Sequence, residues 1–356
     1  MEYVGQQQQQ RTAPLTSIDT EHNDMINDIQ LDYYGKRLVT CSGDRTFRVY
    51  DVSEATVPSS QQDPKKTKAA ATADPNAAAP VGHVLQHIVQ LPDDSNASMH
   101  RIAWAHPKFG SLLAMACQDG RVYVYREELH PNGSSATEWV LKYVHAFHSL
   151  AVLSIEWAPY EYGLCLASAS ADGQVSFLSR MREGWVTSSS FINSQDGVAA
   201  SSVSWAPYNS LGSQGPQGPV QRVVTGSVNS LVQIWQFAAQ ENQWTLADDA
   251  PLVGHEDWVR DVAWAPNVGI PANIIASGSD DHTVRVWSQD EAAGDWKMHV
   301  VHTFRSPVYR ISWSLTGTVL SVAVGDDEVT FWKQLSESEW VQLSSVNEHG
   351  AQVLSS

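Results

Sequence analysis

Gly254-His255-Glu256-Asp257-Trp258-Val259 opens the most informative stretch of this chain. It continues as an apolar strand ending Ala263-Trp264-Ala265-Pro266. A second strand, Ile274 to Ser279, runs into the turn Asp280-Asp281-His282, and a third, Thr283-Val284-Arg285-Val286-Trp287, closes the unit. The turn between the second and third strands needs a small polar residue that bonds its own backbone, and Asp281 supplies it. A buried carboxylate and a buried indole N–H each require a partner. We therefore expect His255, Ser277, Asp281 and Trp287 to form one hydrogen-bonded set inside a small antiparallel sheet. In that setting the histidine is structural and not a catalytic base.

The same layout recurs along the chain. A small polar turn residue is followed six positions later by a bulky strand end: Asp44 to Tyr50, Asp119 to Tyr125, Asp172 to Leu178, Asn229 to Trp235, Asp281 to Trp287 and Asp326 to Trp332. The strand before each turn has its own landmark near its end, namely Leu31, Trp104, Trp157, Trp205, Trp264 and Trp313. Four of these precede Ala-Pro or Ala-His-Pro, which stops a strand. A Gly-His opening, three short strands and a terminal Trp are the marks of a WD-repeat blade, here with a period of roughly 50 residues. The spacing predicts an all-β fold, a WD-repeat β-propeller with six blades made by this chain. Outer strands are expected at His83 to Leu91, Trp139 to Val144, Trp185 to Ile192, Trp244 to Ala247, Trp296 to Phe304 and Trp340 to Val346.

A further short strand, Leu15 to Asp19, makes seven outer strands for six sets of inner ones. The surplus implies an open ring, with a seventh blade missing three strands. Bare edges and apolar faces are an aggregation hazard unless a partner adds the missing strands. The expected interface is lined by Leu15 and Ile18, with Ile26, Ile29 and Leu31 of blade one and Val308, Ile311, Val329 and Phe331 of blade six as candidate walls.

In this reading residues 1–13, with the run Gln6 to Gln10, form a disordered tail, and the propeller spans 14–348. Within it, 53–80 is a disordered insertion rich in Ala, Pro, Ser, Gln and Lys, and the Gly/Pro-rich 209–220 is a flexible loop. Residues 349–356 are a C-terminal tail. The Lys65-Lys66-Thr67-Lys68 cluster reads as part of a solvated loop. A net charge of -17, from 22 basic and 39 acidic residues, argues against direct binding of nucleic acid or an anionic bilayer. Any membrane association is expected to be indirect. Three scattered cysteines, Cys41, Cys117 and Cys165, point to a reducing compartment.

The sequence holds no Gly-x-Ser-x-Gly elbow, phosphate loop or His-Glu-x-x-His motif. His145/His148 and His299/His302 lack a third ligand at zinc spacing. The acidic pairs Asp280-Asp281 and Asp326-Asp327 occupy one turn position of the repeat, which accounts for them without glycosidase chemistry. No cofactor, metal or catalytic residue is expected. The alternative reading is a propeller that grips a peptide or modified residue at the channel mouth, within a signalling complex.

Several ordered segments carry a resemblance. His22-Asn23-Asp24-Met25-Ile26-Asn27-Asp28, Asp32-Tyr33-Tyr34-Gly35-Lys36-Arg37-Leu38 and Thr40-Cys41-Ser42 resemble the opening of the Sec-thirteen family. Trp104-Ala105-His106-Pro107, Trp157-Ala158-Pro159 with Tyr162-Gly163, and Asp257 to Pro266 are similar to later segments of that family. The Gln-rich start and the Val52–Pro80 insertion depart from it. The resemblance implies a non-enzymatic scaffold shared by the COPII vesicle outer coat and the Y-shaped nuclear pore scaffold. It implies that the propeller clamps a blade donated by an α-solenoid: the large subunit of the COPII outer coat, or a solenoid nucleoporin. Similar propellers occur in a nutrient-signalling complex on the vacuole or lysosome. The locations implied are the cytosol, the cytoplasmic face of the endoplasmic reticulum membrane with its COPII vesicles, and the nuclear pore.

Overall fold

The computed structural model describes residues 12–13, 18–52, 83–92, 97–131, 136–194, 197–215, 218–247, 251–266, 268, 272–292, 294–325, 328–336, 339–347 and 350–353. The Gln run, Leu15, the 53–80 insertion and the Asp326-Asp327 turn lie outside them.

Six antiparallel sheets follow one another in chain order. Blade one is Ile26–Leu31, Arg37–Ser42, Thr46–Asp51 and Val84–Gln90. Blade two is Met99–Trp104, Leu112–Cys117, Val122–Leu129 and Thr137–His145. Blade three is Val152–Trp157, Cys165–Ser170, Gln174–Met181 and Gly184–Ile192. Blade four is Ala200–Trp205, Arg222–Ser227, Val232–Ala238 and Gln243–Leu246. Blade five is Val259–Trp264, Asn273–Ser279, Thr283–Gln289 and Lys297–Thr303. Blade six is Val308–Trp313, Val319–Val324, Glu328–Ser336 and Glu339–Asn347. The architecture is the expected all-β, six-bladed propeller; the described helical elements are two short 3-10 turns.

The first strand of each blade is the innermost and packs against the first strand of the next, from blade one through to blade six. Every one carries a bulge just after its first residue, as between Ile26 and Asp28 or Val259 and Asp261. A bulge inserts one residue and so breaks the period-two alternation. The first, fourth and sixth residues consequently share a face and turn toward the preceding blade, while the third and fifth turn toward the following one.

The apolar residues collect into five clusters, each built across the junction of two consecutive blades. Phe47 and Val49 of blade one pack with Met99 and Ile102 of blade two, and Val284 and Val286 of blade five pack with Val308 and Ile311 of blade six. Among the described residues no corresponding cluster joins blade six to blade one. Five cores for six blades is the signature of an open ring.

Three expectations about the ends and loops are corrected. Ile18 and Asp19 are not in a strand; Thr12 and Ala13 instead pair with Gln352 and Ala351. Gly350–Val353 in turn pairs with the outer strand of blade six, so that sheet has six strands and residues 350–353 of the expected tail belong to it. The N-terminal strand therefore adds to blade six through main-chain bonding, and strand counting does not itself locate a seventh blade. In the 209–220 loop, Gln214–Gly215 pairs with Gly218–Pro219, and Ser213 is buried with its hydroxyl donating to the Tyr208 and Ser210 carbonyls. Arg222 donates to the Leu211 carbonyl, and Asn273 bonds the same oxygen at 3.0 Å. These side chains anchor residues 210–213 of the loop, which its glycine and proline content did not reveal.

Candidate functional site

The site is the pair of walls that the open ring leaves bare. Its blade-one side follows from comparing equivalent positions. In blades two to six the first and fourth residues of the innermost strand are buried against the preceding blade: Met99 and Ile102, Val152 and Ile155, Ala200 and Val203, Val259 and Val262, Val308 and Ile311. In blade one these positions are Ile26 and Ile29, which are 41% and 56% exposed, and Leu31 at the sixth position is 55% exposed. Same residue type, same register and opposite burial leave one physical cause, the lack of a preceding blade.

The blade-six side follows from the turn alignment. Three and five residues after the turn residue lie Phe47 and Val49, Val122 and Val124, Val175 and Phe177, Val232 and Ile234, and Val284 and Val286, all essentially inaccessible. Their equivalents in blade six, Val329 and Phe331, are only half-buried, as is Ala323 on the adjacent strand. Contiguous apolar surface of this kind marks an interaction site.

Of the residues expected at the interface, Ile26, Ile29 and Leu31 form one wall, and Val329 and Phe331 belong to the other. Val308 and Ile311 are a correction. They are buried in the core between blades five and six, with 0% and 4% exposure. The bulge turns them backward, onto blade five, and an ideal Cβ on Gly278 of blade five would lie 2.5 Å from Val308 Cγ1. Ile18 is half-buried and outside any strand, and Leu15 lies outside the described residues. Sequence reasoning missed Ala323, and it did not use a visible signal. Leu31 stands where every other blade has Trp. At three junctions that Trp donates its indole N–H to a carbonyl of the preceding blade: Trp157 to Ala103, Trp205 to Glu156 and Trp313 to Ala263, each at 3.1 Å. Blade one has no preceding carbonyl to reach.

The blade anchors do different work. His255 Nδ1 lies 2.8 Å from Asp281 Oδ2 and its Nε2 2.7 Å from Ser277 Oγ, which also accepts the Trp287 indole N–H at 2.9 Å. Burial raises the Asp281 carboxyl, but hydrogen bonds from His255 and Thr283 outweigh it and hold the group well below the usual carboxylate range. The set recurs as His22, Asp44 and Thr40 in blade one and as His148, Asp172 and Ser168 in blade three. Each histidine stands four residues before its innermost strand, a spacing readable in the sequence. Blade four replaces it with Asn193, which accepts from Thr225 at 2.6 Å. His145, the other half of the suspected pair, bonds Ser176 at 2.9 Å.

Two arginines and two aspartates meet on the channel axis. Arg101 Nη2 is 3.3 Å from Asp261, and Arg310 lies 3.7 Å from Asp261 and 2.9 Å from Asp28. The last contact reaches from blade six to blade one across the opening. Burial raises both aspartates despite Arg101. Burial likewise pushes Glu156, on the same axis, up to about 7 against a hydrogen bond from Ser204. At one channel mouth a cavity of about 570 Å³ is lined by Tyr33, Trp104, His106, Glu156, Tyr160 and Trp205, among others. Among the described residues no group of acidic, His and Cys side chains is arranged to hold a metal ion.

Comparison with known proteins agrees with this architecture. The family described as WD domain, G-beta repeat matches residues 13–51 and 249–288. Protein transport protein SEC13 of Cryptococcus neoformans var. neoformans serotype D (strain B-3501A) is 37% identical, over 94% of this chain and 96% of its own. Protein SEC13 homolog of Drosophila melanogaster is 35% identical, over 93% and 83%. Protein transport protein SEC13 of Mycosarcoma maydis is 33% identical, over 93% and 94%. With identities at this level over nearly the full length, and with the blades and their anchors in place, the chain belongs to the SEC13 family of WD-repeat proteins.

Proposed function

We propose that this chain is a non-enzymatic scaffold subunit of protein transport machinery. It serves the COPII outer coat in endoplasmic reticulum to Golgi transport, and the Y-shaped scaffold of the nuclear pore. Its working part is the gap between blades six and one, which receives a blade from an α-solenoid partner. The observation that carries this reading is the exposure of Ile26 and Ile29 at positions buried in the other five blades, with Leu31 exposed beside them. A donated blade satisfies such a wall, because it covers the apolar surface on both sides of the gap. The protein transport names of the relatives support the transport role. In this reading the protein sits on the cytoplasmic face of the endoplasmic reticulum membrane through its partner, the net charge of -17 giving it no affinity of its own for anionic lipid.

The test is co-expression with the large solenoid subunit of the COPII outer coat from the same organism. Ile29→Asp places a charge in the closed junction and is expected to abolish co-purification, while the free chain keeps its circular dichroism spectrum and unfolding temperature. Undiminished co-purification refutes the assignment of the site. The aromatic cavity at the channel mouth favours a second reading, a peptide-gripping propeller. That reading requires Tyr160→Ala, and not Ile29→Asp, to remove partner binding.

A further inference from the structure

Side-chain to main-chain bonds join the innermost strands at every junction, and they follow a rule. The third residue of each strand, counted from its first, reaches the next blade. Asp28 Oδ2 accepts the N–H of Ile102 at 3.0 Å, Ser154 Oγ that of Val203 at 3.3 Å, Ser202 Oγ that of Val262 at 3.2 Å and Asp261 Oδ2 that of Ile311 at 3.1 Å. In each case the donor is the fourth residue of the following strand. The junction between blades two and three uses an arginine: Arg101 Nε donates to the carbonyl of Leu153, the second residue of the next strand, at 3.4 Å. The fifth residue repeats the device. Gln30, Glu156 and Ser204 accept the N–H of the sixth residues Trp104, Trp205 and Trp264 at 3.4, 3.0 and 3.1 Å.

At the gap this rule has two open ends. Arg310 and Ser312 are the third and fifth residues of blade six; Arg310 pairs with the Asp28 and Asp261 carboxylates but bonds no main-chain carbonyl of a following blade, and Ser312 is exposed, whereas Ser204 at the same position is buried. On the other side, the N–H of Ile29 turns back to the adjacent Asp28 Oδ1 at 2.9 Å, where Ile102, Val203, Val262 and Ile311 all find an acceptor on the preceding blade.

We infer that the strand filling the gap is selected by the same rule: its first, fourth and sixth residues are apolar and lie on blade six, its third and fifth carry hydrogen-bond acceptors (Asp, Glu, Ser or Gln) for the N–H groups of Ile29 and Leu31, Ser312 accepts the N–H of its sixth residue, and Arg310 donates to the carbonyl of its second. This rests on the reading that a partner blade occupies the gap, and it specifies that partner's chemistry. An apolar strand without the two acceptors would cover the wall but leave the Ile29 N–H with only the adjacent Asp28 Oδ1 in a dry junction, where a poorly satisfied donor is costly. Arg101 is the internal precedent for Arg310, since it bonds a main-chain carbonyl while also pairing with Asp261 across the channel.

The experiment measures, by biolayer interferometry, the affinity of the recombinant large solenoid subunit of the COPII outer coat for this chain. Ser312→Val, at an exposed position and so without consequence for folding, is expected to weaken binding about 3- to 10-fold, the usual effect of one neutral hydrogen bond. Arg310→Met is expected to weaken it about 10- to 100-fold, with the unfolding temperature of the free chain measured alongside because Asp28 and Asp261 lose a partner. Leucine at the third residue of the partner's innermost strand is expected to weaken it comparably to Ser312→Val. Ile29→Asp is the separating control. If it abolishes binding while Ser312→Val and the partner's leucine variant bind like wild type, the bonding rule is overturned and the scaffold reading survives. If Ile29→Asp also binds normally, the reading falls and the inference with it. A free chain that dimerises through the gap in light scattering overturns the inference as well, because it puts a second copy where the specified strand belongs.

Discussion

Ile29 and Ile102 form a matched pair that isolates the effect of a neighbouring blade. Both are the fourth residue of an innermost strand, and both follow the same bulge. Ile29 is 56% exposed and Ile102 is 1% exposed. Ile→Ala removes the same atoms and loses the same strand preference at each site, so the intrinsic β term cancels between them. What remains is packing. Ile102→Ala empties part of a closed core that includes Phe47, Val49, Met115 and Tyr123, and is expected to cost about 2–5 kcal/mol in urea unfolding of the free chain. Full burial of an Ile side chain is worth about 1.5–3 kcal/mol, and Ile29 retains more than half its exposure, so Ile29→Ala is expected to cost about 1 kcal/mol or less. With partner bound the order changes. Ile29 is then covered, and Ile29→Ala is expected to weaken the complex by about 1–2 kcal/mol, roughly 5- to 30-fold in Kd. Both quantities are read from one preparation, by urea titration of the free chain and by interferometry of the complex. Equal destabilisation of the free chain by the two substitutions would refute the reasoning, because it requires Ile29 to be covered in solution and the ring to be closed.

Other outcomes follow from particular contacts. Trp287→Ala empties a fully packed site and breaks the indole bond to Ser277, so a loss of about 3–5 kcal/mol is expected in the same titration; a folded variant defective only in partner binding would show the anchor to be misassigned. Gly278→Ala drives a methyl into Val308 and is expected to cost about 1–3 kcal/mol by wedging blades five and six, whereas Gly35→Ala, whose Cβ meets nothing within 4 Å, acts only through its positive φ of 64°. Glu156 has a folded pKa raised to about 7 from the ordinary value of 4.5. The unfolded chain therefore loses this proton first as pH rises, and the group disfavours the folded state increasingly from pH 4.5 to about 7. Glu156→Gln is expected to gain stability relative to wild type between pH 5 and pH 8, by about 1–3 kcal/mol; a gain independent of pH would show that the carboxyl ionises freely. Asp281 has the opposite sign, being held low by His255 and Thr283: its contribution is intact above the ordinary carboxylate value and lost in stronger acid, so Asp281→Asn is expected to lose its effect as pH falls below about 4.

The number of blades and the anchors of blade five were legible because they rest on local rules. A turn needs Asp281 at a set distance from Trp287, and a buried indole needs a hydroxyl, so residue type and spacing suffice to place them. One wall was legible in part: alternation along a strand names Ile29 and Leu31 as one face, and only the bulge after Ile26 brings that residue onto it. The errors arose where parity depended on a bulge. Val308 and Ile311 are as apolar as Ile26 and Ile29 and occupy the same positions, so no pattern within the strand distinguishes them; their burial depends on blade five lying on one side, a fact of ring closure. The N-terminal strand failed for a different reason, since main-chain pairing of Thr12 and Ala13 with Gln352 and Ala351 uses no side-chain code that composition can reveal. Local chemistry, repeated six times, thus determined the blades; which faces were left bare, and which polar side chains reach over the gap, was decided only when the sheets were arranged around an axis, because burial belongs to pairs of blades and not to any one of them.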